Sequence, residues 1–195
     1  MQKRHIITIC GVLGSGKSTA AKRVSAALGY PHFSAGDFMR EMATERGISL
    51  AELGPLAEKD SQVDKEIDSR QKEYMDTHDN FVIDSRLGWF LAPDSFKVFL
   101  SLDEQTSAER VFADLNSKNS ARFGETSTNV ASIEDLKKKQ ADRLRSEGAR
   151  YKEYYGIENT FDPSHFDLII DTKENNQDVV AKLIIEGYTK WQESM

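Results

Sequence analysis

The stretch Gly11-Val12-Leu13-Gly14-Ser15-Gly16-Lys17-Ser18-Thr19 packs three glycines, a lysine and hydroxyl side chains into nine residues, directly after the apolar run His5-Ile6-Ile7-Thr8-Ile9-Cys10. Gly11, Gly16, Lys17 and Ser18 fit the pattern GxxxxGK[ST], and each position has a physical task. Glycines let consecutive backbone N–H groups turn inward around an anion, and the N-terminus of the following helix adds the positive end of its dipole. Lys17 reaches the outer phosphates, and Ser18 can ligate Mg²⁺. Gly11 to Thr19, including Val12, Leu13, Gly14 and Ser15, is therefore read as a cradle for a nucleoside triphosphate. Such a loop identifies the ligand and leaves the reaction open.

Working outward, the run before the loop reads as a buried strand, and a helix is expected from about Lys17 to Leu28 with Gly29 as its cap. "HFSA" is a short second strand, and Gly36 with Asp37 opens a helix ending near Gly47. Ser49 and Glu52 form a capping box for another short helix. Residues 61–78, with Val63, Ile67 and Tyr74 among many charges, predict a long, exposed amphipathic helix. "NFVID" and "FKVFLSL" are apolar runs without clean alternation, as in parallel strands covered on both faces. A helix over 104–116 follows, then a polar stretch rich in Ser, Thr and Asn that reads as a surface loop. Ser132 and Asp135 cap a charged helix running toward Tyr155, "FDLIIDT" is the last strand, and 176–193 is the last helix. Strands alternating with helices predict an α/β fold with a central five-stranded parallel sheet in three layers, whose ligands bind at the carboxyl ends of the strands.

Composition narrows the function. The chain has 195 residues, enough for one sizeable core with appendages, and its 38% hydrophobic and 30% charged residues are those of a globular protein. A net charge of −6 argues against nucleic-acid binding, which needs a basic face. No apolar run approaches the ~18 residues of a membrane span, and the six-residue apolar stretch near the N-terminus is too short for a signal peptide. The expectation is a cytoplasmic monomer that meets neither membrane nor nucleic acid. The single cysteine, Cys10, excludes an internal disulfide and any cysteine-based zinc site, and reads as a small buried side chain. His5, His32, His78 and His165 lack metal-ligand spacing and read as structural or solvated.

A second anion site is written where other strands should end. "FSAGDFMRE" places Ser34, Asp37 and Arg40 at the mouth of a helix; a lone helical arginine is more often solvated, and it is this context that singles Arg40 out. "FVIDSRLGW" puts Asp84 and Arg86 where the third strand leaves the sheet. A carboxylate there can hold the water shell of Mg²⁺ and an arginine can grip a phosphate with two parallel bonds, the plainer alternative for Asp84 being a turn former. "RLRSEGARY" sets Arg143 and Arg150 two helical turns apart on one face, with Glu147 between them able to orient either, unless this is simply a solvated charged helix. Phosphoryl transfer between two anions is limited by charge crowding, which arriving arginines relieve.

Together these fragments resemble the nucleoside monophosphate kinase superfamily, and within it the short archaeal-type cytidylate kinases. The resemblance rests on "GVLGSGKST", "FSAGDFMRE", "QVDKEIDSRQKEY", "DSRLGW", "AERV", "ARYKEYYGI" and "FDLIIDT", which occur in the family's order over roughly residues 5–172. It implies one kinase domain: a core of 1–35, 81–115 and 156–195, a monophosphate-binding segment 36–80, and a lid over about 116–155. It implies that Arg40 and Arg86 hold the acceptor phosphate, with Ser34, Asp37, Asp68 and Arg70 around the acceptor. Arg110 would stack on the donor adenine, and Arg143 and Arg150 would close over the transferring group beside Lys17. The implied reaction moves the γ-phosphoryl group of ATP, with Mg²⁺ held through Ser18 and Asp84, to CMP or dCMP. Trp89 is either a platform near the base or core packing.

Three departures stand out. Asp84-Ser85-Arg86 occupies the place of the family's EGR, keeping charge and arginine while shifting the carboxylate by a methylene. Asp114 stands where a basic residue is expected one turn after Arg110, with Arg122 as a candidate substitute. The polar stretch 116–133 is long. Rival readings are a kinase of the same fold acting on AMP, UMP or an alcohol such as a sugar acid, where Asp84 or Asp37 would have to serve as base, and a non-catalytic ATP-sensing module.

Overall fold

A computed structural model describes residues 4–116 and 130–194. Strand β1 (Ile6–Gly11) is buried along its whole length and lies at the centre of a parallel five-stranded sheet. Its neighbours are β3 (Phe81–Asp84) and β4 (Phe96–Ser101), flanked in turn by β2 (His32–Ser34) and β5 (Leu168–Asp171), giving the order β2-β3-β1-β4-β5. The register sets Ile9 and Ser34 on either side of Asp84, so the loop after β1, the start of the helix after β2 and the residues after β3 emerge together. This is the carboxyl edge where a ligand of such a sheet belongs.

Side chains alternate across the sheet with the period of two that a pleated strand imposes. Ile7, Ile9, Val82, Val98 and Leu100 face helices α1 (Lys17–Leu28) and α8 (Gln177–Glu193), which contribute Ala21, Val24, Ile184 and Tyr188 to one core. Ile6, Phe81 and Ile83 face the other way, onto Met75, Leu91 and Ile157. Helix α1 ends as expected at Gly29, whose φ of 69° is easily adopted only by glycine.

A third, separate core of Met42, Ala43, Leu53, Ala57, Val63 and Ile67 joins α2 (Ala35–Glu45), α3 (Leu50–Lys59) and α4 (Ser61–Thr77). The capping boxes Ser34/Asp37 and Ser49/Glu52 form at the starts of α2 and α3. Helix α4 is amphipathic as its pattern predicts, with Val63 and Ile67 buried, but its buried stripe also takes in Asp68, Gln71 and Met75. The polar members of that stripe escape a search for apolar periodicity because they are buried in hydrogen bonds rather than grease.

Beyond β3 come the single turn α5 (Gly88–Leu91), then α6 (Glu104–Leu115) and the 23-residue α7 (Ile133–Tyr155), capped by Ser132 and ended by Gly156. Neither α5 nor the short 3-10 turn Pro163–His165 is foreseen by the sequence reading, both being too brief to show periodicity. Residues 117–129, with Arg122 and most of the polar stretch, lie outside the described residues. Among the described residues, no helix is long and apolar enough to cross a membrane. Cys10 is buried as expected, and burial pushes its thiol up to about 11.

Candidate active site

The loop Gly11–Thr19 is braced from three sides. A Cβ on Gly11 would lie 2.5 Å from the Leu100 carbonyl oxygen, so only glycine lets β1 end this close to β4. Ser15 donates to the Val12 carbonyl at 2.9 Å, and Ser107 on α6 donates to the Leu13 carbonyl at 2.7 Å. Gly16, with φ 82°, turns the chain into α1. Lys17 Nζ donates to the Val12 carbonyl at 2.9 Å, which folds the ammonium back across the loop.

At the edge of this cradle the Ser18 hydroxyl donates to Asp84 Oδ2, while His32 Nε2 lies 3.0 Å from Asp84 Oδ1. Asp84 is thus gripped on both oxygens, and its side chain is only 6% exposed. Composition gave His32 no role; the structure makes it the partner of a site carboxylate. The signal was positional: His32 lies two residues before Ser34, on the strand paired with β3. Ser18 and Asp84 offer hard oxygen donors side by side, the kind Mg²⁺ prefers.

Beside the loop is a cavity of about 480 Å³ lined by Gly14, Gly16, Thr19, Arg110, Asp114, Thr172 and the segment Asn175–Gln177. Arg110 Nη2 donates to the Thr172 carbonyl at 2.9 Å, so its guanidinium borders this space. Asp114 lines the same cavity and puts a carboxylate there in place of a basic group. Asn175 and Asn176, absent from the sequence reading, add amides to the lining.

Across the sheet edge lies the second group. Ser34 and Asp37 are used in the α2 capping box, and Arg40 Nη2 donates to Asp37 Oδ1 at 2.6 Å. Burial pushes the Asp37 carboxyl up, but Arg40 and Ser34 outweigh it and leave it below its ordinary value. Arg86 pairs with Glu147 of α7, and the Phe161 ring lies 6.0 Å from its guanidinium carbon. Glu147 also accepts from Arg143 Nε at 2.7 Å. Arg150 is directed to Asp64 of α4 at 2.5 Å and to Ser146 at 2.6 Å. The expected shared face of α7 thus resolves into two positions of different depth: the Arg150 side chain is 15% exposed and that of Arg143 48%.

Deeper still, Tyr155 donates to Asp68 Oδ2 at 2.8 Å, Gln71 Nε2 donates to Asp68 Oδ1 at 3.3 Å, and Ser85 donates to Gln71 Oε1 at 2.7 Å. Burial is the chief reason the Asp68 carboxyl rises to about 6; the Tyr155 hydroxyl works against it and the Asp64 charge with it. Tyr151 is partly buried against the β3 side of the core, and desolvation there pushes its phenol up to about 12, with the charges of Arg86, Asp68, Asp64 and Arg150 acting on it as lesser influences. Asp64, Gln71, Ser85 and Tyr155 are the residues sequence reasoning missed here, and only the third dimension brings them together.

Arg70 is held elsewhere. Two positions after Asp68, roughly 200° round the helix, it bonds to Glu45 at 2.6 Å and to Glu66 at 2.8 Å, tying α4 to α2. Trp89 stacks on His165, with centroids 3.8 Å apart and planes 10° from parallel, so one face of its indole is covered. Chemically, the arrangement offers a triphosphate cradle on one side of the sheet edge and a cluster of arginines on the other, with α7 across them.

The family model described as "Cytidylate kinase-like family" matches residues 6–174. The chain is 35% identical over 181 residues to a cytidylate kinase of Natronomonas pharaonis, covering 92% of this chain and 86% of that protein. It is 36% identical over 174 residues to a cytidylate kinase of Methanosarcina mazei, covering 88% of this chain and 89% of that one. The fold is that of a gluconokinase from Sinorhizobium meliloti, with a TM-score of 0.61 at 16% identity over 100% of this chain and 97% of that one. With the family matched from the first strand to just past the last, this chain belongs to the cytidylate kinase-like family.

Proposed function

We propose that the protein transfers the γ-phosphoryl group of ATP to CMP or dCMP, giving ADP and the nucleoside diphosphate. The observation that carries this reading is the pairing of the two halves of the sheet edge. Asp84 reaches Ser18 of the phosphate loop, and two residues later Arg86 enters the arginine cluster under α7. A phosphoryl group leaving the loop therefore has a cationic destination one strand away.

Roles follow from chemistry. The loop amides and Lys17 hold the donor phosphates, and Arg110 borders the space for the donor base. Arg40 and Arg86 receive the acceptor phosphate, with Arg143 and Arg150 closing from α7. Asp68 lies deep enough, and close enough to Tyr155 and Gln71, to face the nucleoside. Residues 36–80 form the acceptor segment and about 116–155 the lid. A magnesium ion held through Ser18 and Asp84 would neutralise the donor phosphates. No general base is needed, because a phosphate monoester with a second pKa of about 6 is already largely a dianion at neutral pH. The protein's work is alignment, charge neutralisation and exclusion of water that would otherwise hydrolyse ATP.

The test is a coupled ADP-release assay with CMP, dCMP, UMP, AMP and GMP. Stimulation by CMP or dCMP is the expected result. Stimulation by AMP or UMP alone would move the acceptor assignment, and ATP binding with no stimulation by any acceptor would favour a sensing module.

A further inference from the structure

Every arginine assigned above to the receiving side is already paired with a carboxylate. Arg40 holds Asp37, Arg86 and Arg143 both hold Glu147, and Arg150 holds Asp64. The first of these pairs is a solvated contact within one helical turn. Arg143 with Glu147 is likewise a pair one turn apart on α7, but Arg86 with Glu147 and Arg150 with Asp64 bridge separate elements, and those four side chains are only 12–15% exposed. Glu147 is the centre of this arrangement, one carboxylate on two guanidinium groups, one from the sheet edge and one from α7.

We propose that Glu147 is a positioning residue that parks Arg86 and Arg143 between turnovers and yields them to the acceptor phosphate. A carboxylate and a phosphate oxygen pair make the same two-pronged contact with a guanidinium, so one can replace the other without re-aiming the arginine. Charge sets the direction of the exchange. A phosphate dianion brings twice the charge of the carboxylate it displaces, and a bound donor nearby gives the arginines a further reason to turn toward phosphate. When the diphosphate product leaves, Glu147 retakes the pair. Without a carboxylate there, two guanidinium groups at the mouth of the site would face each other unscreened and would capture any small phosphate.

The α7 helix is suited to such an exchange. Ser146 donates to Glu58 of α3 at 3.0 Å, Arg150 reaches Asp64, and Tyr155 reaches Asp68 of α4, so this edge of α7 is held to the acceptor segment by polar contacts. Glu147 sits one residue after Ser146, one turn before Tyr151 on the same helix. A small rotation of α7 therefore withdraws Glu147 from Arg86 while carrying Arg143, on the same helix, along with it.

The proposal rests on the reading of Arg86 as a ligand of the acceptor phosphate. It predicts that Glu147→Gln, which keeps the shape and removes the charge, binds CMP more tightly in the absence of ATP, on the order of tenfold, the change expected if the competent arrangement is populated in about a tenth of empty molecules. Inorganic phosphate should tighten in parallel, and the KM for CMP should fall while kcat falls or stays level. Isothermal titration of the wild-type chain and the variant reads the first two, and steady-state kinetics the third. CMP affinity unchanged or weakened, with kcat lowered, would overturn the proposal and make Glu147 a fixed brace. Should Glu147→Gln fail to fold by circular dichroism, Asp64→Asn releases Arg150 from its own carboxylate and should lower the KM for CMP; an unchanged or raised KM counts against the exchange. A wild-type chain that phosphorylates no monophosphate would instead defeat the functional reading, so the two failures are distinguishable.

Discussion

The two halves of the sheet edge are built by opposite means. The donor half is held by backbone and hydroxyl contacts: Gly11 tucked against Leu100, Ser15 on Val12, Ser107 on Leu13. None of these groups is charged, and a phosphate entering the loop has no reason to disturb them. The acceptor half is held by ion pairs between elements that share no strand, Arg86 with Glu147 and Arg150 with Asp64, around three helices with a small core of their own. On the proposed reading, preorganisation suits the side that holds ATP in one geometry, and exchangeable pairs suit the side that opens and closes over a second nucleotide.

Lys17→Ala should cut kcat/KM by at least about 10³-fold, since on the proposed reading it removes the cation that turns from the Val12 carbonyl to the transferring phosphates. Steady-state kinetics with ATP varied would reveal it. An effect under tenfold would show that Lys17's bond to Val12 is its whole purpose. Arg86→Ala should cost about 10²-fold in kcat/KM for CMP while ATP affinity, measured by titration without acceptor, stays near wild type. Loss of ATP affinity in that variant would erase the division between halves.

The smallest effect concerns stability, and its sign follows from Asp68. Its carboxyl rises from 3.8 to about 6 in the folded protein, chiefly through burial. Between those values the folded state keeps a proton that the unfolded state releases, so stability falls as pH rises from about 4 to about 6 and the deficit is complete above that. At 1.36 kcal/mol per unit, its ceiling is about 3 kcal/mol, before allowance for hydrogen bonds lost on substitution. Asp68→Asn should lose this slope, measured as the urea midpoint across the same pH range. A slope equal to that of the wild type would place the buried charge elsewhere.

How much of this was legible in the sequence follows the same divide. The phosphate loop, the bounds of α1, the Ser49/Glu52 capping box, the Ser132 cap and the five strands are local patterns, so Gly29, Ser49 and Ser132 act in the structure as their neighbours in the chain predict; the Ser34/Asp37 box at the start of α2 is added by the structure. The acceptor half is a matter of long-range pairing. Glu147 could be seen to lie between Arg143 and Arg150, but not to reach Arg86, 61 positions away in the chain. His32 looked inert because its partner Asp84 comes from another strand. Arg70 looked like a neighbour of Asp68 because the two are close in sequence, whereas the helix turns them to opposite sides. Charged residues at helical spacing signal a solvated face by default, and only packing reveals which of them are turned inward.

The central claim, that a phosphoryl group crosses from the loop to the arginine cluster, is tested most directly by following the γ-phosphorus of labelled ATP in the presence of CMP. The label should appear in CDP, in step with ADP. Label that stays in ATP, or emerges only as inorganic phosphate, would contradict it.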